Sequence, residues 1–358
     1  AKQSINIGTS ANDGTGSTLR EAFDICNDNF TELYGGTTSA LGFKSEGTNF
    51  TGSLLIGHST TGTISSAENN TGVGINSLKS LTSGDANIGL GARSGFNLTS
   101  GSGNILIGNR TGENIIDGSY NVAIGDEALF TENGHGKNIA LGYHALRAQD
   151  AGADAFNIAI GHQAGQNVTT GIRNTLIGGL AGDALTTGND NTAVGYAALS
   201  TEDTDGRNVA IGMNALSSLN AGAHGNNTAV GYTSGALLTT GVQNVIIGAA
   251  AGDALTEGSN NIAIGYNALS SADTDARNVA IGTRALEDQN AGNNTYNVAI
   301  GYEAGKQVST GVQNVFLGAS AGDAVTTGDN NIAIGYAALS TEDAHGKNIA
   351  IGASALLS

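Results

Sequence analysis

Acid–base, metal or thiol chemistry in this chain would fall to six histidines, 31 carboxylates and one cysteine. Their spacing argues against all three. His58, His135, His144, His162, His224 and His345 are dispersed along the chain. Cys26 stands alone, so it has no partner for an internal disulfide or a thiolate metal set. "GTGSTLR" at Gly14–Arg20 is glycine-rich but lacks the lysine of a phosphate loop. Asp183, Asp253 and Asp323 recur at 70-residue intervals in "AGDA". Carboxylates at fixed phase can hold cations, but EF-hand spacing and the GGxGxD pattern are both missing, so a solvated bend is the preferred reading. The expectation is a non-enzyme with no catalytic, metal-ligating or cofactor-binding residues.

A different set of residues keeps strict time. Tyr143, Tyr196, Tyr232, Tyr266, Tyr302 and Tyr336 each follow the glycine of an Asn-x-x-[Ile/Val/Leu]-Gly motif. Such a stripe can stack on sugars or pack between chains, and the shared phase favours packing. The elements that position it must therefore repeat.

The motif glycine falls at Gly74, Gly91, Gly108, Gly125 and Gly142, and continues to Gly352 in seventeen units. The step is 17 residues, and 19 after Gly142, Gly212 and Gly282. Three steps of 17 and one of 19 give a 70-residue cycle. An imperfect unit, "SLLIG" at Ser53–Gly57, precedes the rest in register. Four residues after the motif glycine stands Leu in nine units and Gly in eight, ordered as two Gly units and then two Leu units. The third motif position is usually Ala, but Leu106, Leu176, Ile246 and Phe316 occupy it once per cycle. Small-to-large exchange at fixed phase predicts a packing site that changes shape every fourth layer.

A 17-residue unit is too short for a helix pair or a propeller blade and suits one turn of a β-solenoid, with two short strands and two bends. The motif alternates faces with period two. Val209 and Ile211 are expected inside the coil, with Ala210 and Gly212 facing a neighbour; Ile281 and Ile351 should be buried in the layers equivalent to that of Ile211. The motif asparagine, present in all seventeen units, predicts a hydrogen-bonded ladder at a bend. The expected fold is all-β: a parallel β-roll (β-solenoid) of about 18 coils over 53–358. A linker at 37–52 and a helical segment at 1–36 precede it. Leu19, Phe23, Cys26, Phe30 and Leu33 have coiled-coil spacing and are the expected trimerisation seam.

Composition agrees with a repeat scaffold. There are 56 Gly, no Pro and no Trp, and aromatics are 5% of residues. Large apolar groups are too few for an isolated globular core, so copies of the chain are expected to pack side by side. A net charge of −17 disfavours nucleic-acid phosphates as a partner. No apolar run is long enough to insert in a membrane as a helix.

The phrases "NVAIGMNAL" and "NIAIGYNAL" resemble the left-handed parallel β-roll heads of trimeric autotransporter adhesins, over about Ser53–Leu356, and the resemblance implies a left-handed roll. That family's units are typically shorter than 17 residues. The stretch "INIGTSANDGTGSTLREAFDICNDNFTELYGG" is similar to a segment near the start of tailed-bacteriophage fibre and other virion structural proteins, carried by Gly14–Phe23 and Asn29–Tyr34. The resemblances imply a homotrimeric virion appendage, assembled in the host cytoplasm and attached to other virion proteins through its N-terminus. Its role would be host-surface attachment. The alternative is the head of a bacterial surface adhesin, at the cell surface. The two-residue insertions, about Gln149–Phe156, Leu219–Asn226 and Gln289–Tyr296, are the expected recognition loops. Phe156, His224 and Tyr296 are the candidate contacts for a host glycan.

Overall fold

The computed structural model describes residues 43–47, 50–56, 65–201, 204, 206–222, 224–341 and 344–357. Leu19, Phe23, Cys26, Phe30 and Leu33 lie outside these residues, as does the whole of the expected helical segment. Strand β1 (Phe43–Gly47) pairs antiparallel with β2 (Phe50–Ile56). From β2 the chain is a parallel stack. Leu54–Ile56 of β2 pair in register with Thr71–Val73, and each later strand of three residues pairs with the next, as far as Ile349–Ile351. Eighteen coils rise by one strand spacing each, so the stack is about 85 Å long at ~4.8 Å per layer.

The asparagine ladder forms as expected, with one refinement. Each motif Asn uses its side-chain oxygen to accept the backbone N–H of the next Asn. Asn87 N to Asn70 Oδ1 is 2.9 Å, and Asn261 N to Asn244 Oδ1 is 2.9 Å. The amide nitrogen turns inward and donates to a carbonyl 14 residues on, as from Asn244 Nδ2 to Gly258 O at 2.9 Å. The side chain thus bonds the end of its own coil while its oxygen bonds the next layer. These groups are buried, so each bond removes a desolvation cost as well as adding attraction.

The motif glycine closes the strand. Gly195 has φ of +140°, and a Cβ there would lie 2.5 Å from the Gly212 carbonyl oxygen one layer on. A side chain would block the stacking of layers at this corner.

Two expectations are corrected. First, each coil holds one strand, not two. Beyond the motif glycine, residues two and four positions on take φ near +55°, as Asn76 at +59° and Leu78 at +50°. The backbone there is not extended, yet it still stacks: Leu78 N donates to Ser94 O at 2.9 Å, and Arg93 N to Ile75 O at 2.8 Å.

Second, the strand phase is the reverse of that expected. Ala210, Ala280 and Ala350, at the strand centres, are buried. Ile211 is 38% exposed, Ile281 is half-buried, and Ile351 is 67% exposed. The cause is the narrow bore of the coil. The strand-centre side chain points across at the residue four beyond the motif glycine, and the space between them admits one large group. Ala123 therefore shares its layer with Leu129, and Leu106 with Gly112. A Cβ on Gly112 would lie 2.9 Å from Leu106, and one on Gly95, in the preceding layer, would also lie 2.9 Å from it. One large side chain thus fills two glycine layers. This accounts for the order of two Gly units and two Leu units. Two branched residues per strand would not fit inside, so they are turned out.

Candidate interaction surface

The outward turn leaves branched apolar side chains exposed along the strands. Each strand presents its first and third residues, mostly Val, Ile, Thr or Leu, on its outer side. The centres alternate inward. Val73, Ile124, Ile211, Ile247, Leu317 and Ile351 are all exposed. The tyrosines that follow the motif glycine extend the stripe: Tyr143, Tyr196, Tyr232, Tyr266, Tyr302 and Tyr336 are exposed, Tyr196 by 54%. In-register stacking makes the column of third strand residues, all Val, Ile or Leu, continuous from layer to layer, while from Tyr196 to Tyr336 a tyrosine stands in every second coil. Monomeric proteins rarely expose contiguous apolar patches beyond a few hundred Å².

A second column runs along the bend that precedes the ladder. The residue before each motif Asn holds positive φ and points to solvent. Successive coils place Tyr120, Lys137, Phe156, Arg173, Asp190 and Arg207 there. The Lys137 ammonium lies 5.2 Å from the centre of the Phe156 ring and pairs with Asp154. Arg173 pairs with Asp190 at 2.6 Å, and the Arg277 guanidinium lies 5.6 Å from the Tyr296 ring centre. Phe156 is 53% exposed and Tyr296 48%. The structure places both in this column, at equivalent points of the first and third lengthened turns. His224 is exposed but stands two residues off the column, where Asn226 takes the equivalent place. The three expected contact residues are therefore not gathered into one site. Successive lengthened turns lie four coils apart, about 19 Å along the axis. Their tips are open, since a Cβ on Gly152 or Gly222 would meet nothing within 4 Å.

Charges two and five residues beyond the motif glycine form inter-layer chains. Glu113 accepts from Arg93 Nη2 at 2.5 Å and Arg110 Nε at 2.8 Å. Burial raises its carboxyl, but these two hydrogen bonds outweigh burial and bring it below the usual range. Asp183, Asp253 and Asp323 occupy the same position in later cycles, where burial pushes each carboxyl up. Asp183 Oδ1 and Asp323 Oδ1 are buried with no hydrogen-bond partner. At these carboxyls the expected solvated bend is half-buried instead.

Among the described residues two carboxylates have no exposed surface, Glu132 and Asp275. Glu132 is fully buried, in a column where other coils place Leu81, Leu98, Ile115, Val168 and Leu185, and where the sequence also sets Gln149, Glu202, Gln289 and Glu342. Its Oε1 accepts the His135 N–H at 3.0 Å. Burial pushes the Glu132 carboxyl up to about 7, and Asp150 and Asp154 add to the rise. Among the described residues, Glu132, His135 and Asp150 are the group whose metal-ligating atoms all lie within 4.8 Å of one another. The sequence reading missed them. The available signal was a carboxylate in a mostly apolar column, recurring as Glu202 and Glu342, but that column becomes visible only after all seventeen units are aligned.

Glu132 has a pH consequence. Its folded-state value lies above that of an unfolded glutamate, so its favourable contribution is full below about pH 4.5. That contribution is lost as pH rises through about 7. Metal-free protein should lose about 3 kcal/mol from this group between those limits. Glu132→Gln should flatten that part of the profile and unfold at higher denaturant at pH 8. Gln149 and Gln289 already stand in the same column, each accepting from a ladder amide at 2.6 Å. Urea unfolding of both proteins at pH 5 and pH 8, in chelator, checks it; parallel profiles would contradict it.

Comparison with protein-family models, with curated proteins and with solved structures returns no match.

Proposed function

We propose that the chain is the shaft of a homotrimeric virion fibre or appendage that displays contacts to a host surface. The observation that carries this reading is the apolar outer face of the strands, unbroken along the stack. Three copies side by side, each turning Val, Ile and Tyr columns toward a common axis, would bury it. The sequence reading assigned the neighbour to the Ala/Gly face; that face lies inside the coil, and the branched face takes its place. In this reading the roll is left-handed, and Leu19, Phe23, Cys26, Phe30 and Leu33 form a three-helix seam joining the shaft to other virion proteins. The N-terminal resemblance favours a virion over the alternative, a bacterial adhesin head.

Light scattering on purified protein should give three times the 35.6 kDa chain mass; a monomer at micromolar concentration would overturn the assembly. Attachment is a separate matter. A regular shaft offers weak contacts many times over, which suits multivalent binding. The column of exposed aromatics and cations suits the ring faces and acidic groups of a surface glycan. Labelled trimer should adsorb to susceptible bacterial cells, and Phe156→Ala with Tyr296→Ala should lower adsorption several-fold. Unchanged adsorption by an intact variant trimer would remove these residues from recognition.

A further inference from the structure

We propose that Glu132, His135 and Asp150 form a binding site for one Zn²⁺ ion per chain, clipping the first lengthened turn to the coil before it. The geometry is that of a cation site without crowding. His135 Nδ1 lies 3.5 Å from Glu132 Oε1. Two ligand atoms on a tetrahedral zinc, at bonds of ~2.0–2.2 Å, are about 3.3 Å apart. His135 Nδ1 is buried and has no hydrogen-bond partner. A nitrogen and an oxygen thus approach to near the separation a shared ion would set, without bonding each other.

The surroundings point the same way. Glu132 replaces an apolar residue in the core column, where an unpaired carboxylate is costly. Among the described residues no arginine or lysine pairs with it, and Asn138 Nδ2 donates to its Oε2 only at 3.5 Å. Asp150 opens the lengthened turn one layer on, and its Oδ2 accepts from Asn133 Nδ2 at 3.2 Å. Imidazole with two carboxylates suits zinc, whereas calcium takes six to eight oxygens. A water would complete the fourth position. The lengthened turn explains why the site arises here. Asn208 and Asn278, which precede the later insertions, have no partner for their amide nitrogens, so a longer turn removes the ladder's usual carbonyl. At the first insertion that vacated space holds Glu132. The second and third cycles lack the ligand set, with Asp205 and Asp275 in place of His135 and Asn220 and Asn290 in place of Asp150, while Glu342 and His345 repeat the first two ligands in the fourth. The inference uses residues of one chain and does not depend on the trimeric reading.

Chelator-treated full-length protein is titrated with zinc chloride by calorimetry, and its thermal midpoint is read with and without zinc. The expected result is one ion per chain and a raised midpoint. Co²⁺ in place of Zn²⁺ should give the visible absorption of a tetrahedral site. Glu132→Gln and Asp150→Asn should abolish both effects. Each introduces a residue found at an equivalent place in this fold, Gln149 or Asn220, so the variants should fold. Absence of saturable binding by the parent protein would overturn the site. So would binding unchanged in the two variants, which would locate the ion on exposed acidic groups.

Discussion

Ala280→Asp should abolish folding of the central coils, while Ile281→Asp, one residue away, should leave them folded and dissociate the assembly. Ala280 is buried and stacked in register between Ala263 and Ala299. A carboxylate there has no partner and no water, a cost of several kcal/mol. Its neighbours across the coil are Leu269 and Leu286, both fully buried. Ile281 points outward, so aspartate at that position reaches solvent in the single chain and is penalised only where another chain covers it. Far-UV circular dichroism reports the fold, and light scattering the mass. A folded Ala280→Asp with an unfolded Ile281→Asp would mean that the outer and inner faces are exchanged.

The second large effect is a coupling. Phe316 is the largest fully buried side chain, and it fills the space of two glycine layers. A Cβ on Gly322 would lie 2.2 Å from its ring, and one on Gly305 2.6 Å from it. Phe316→Ala should cost about 3–5 kcal/mol by leaving a cavity. Gly322→Leu alone should destabilise by about 1–3 kcal/mol or more through overpacking. Together they rebuild the pairing of the next layer, where Ala333 faces Leu339 and Leu339 holds φ of +55° without glycine. The double variant should therefore lose about 2 kcal/mol less than the sum of the single changes. It should remain below the parent, because Gly305 still borders an unfilled space. Denaturant unfolding of the four proteins closes the cycle; strict additivity would mean that the two positions do not share one space.

The same rivalry for space explains what could be read in advance. Period, register and the asparagine ladder were legible because they depend on recurrence alone: Asn at the bend and Gly at the corner are each required once per layer. The exchange of Leu106, Leu176, Ile246 and Phe316 with small residues was also legible as a packing device. Which face is inside was not. Alternation in Val-Ala-Ile defines two faces and is silent on which is enclosed. The usual rule, large apolar groups inward, fails when the bore has room for one of them per layer. The second strand was misplaced for a related reason. Residues such as Asn76 and Leu78 alternate inward and outward like a strand, but they do so through alternating backbone handedness. Glu132 and His135 are three residues apart, but the third member of the group, Asp150, is 18 residues from Glu132 in sequence and meets it only through the stacking of layers.

The four-layer packing cycle also bears on how such a gene can change. Excising residues 196–265 would join Gly195 to Tyr266, and every remaining layer would still meet a neighbour of the kind it has now. The shaft would be shorter by four coils, about 19 Å. Excising a single coil would instead bring together layers whose large and small side chains no longer match. Unequal exchange between repeats is therefore tolerated only in whole cycles. Viable descendants of this chain should differ in length by quantised increments of 70 residues, changing the length of the stack without redesigning its cross-section.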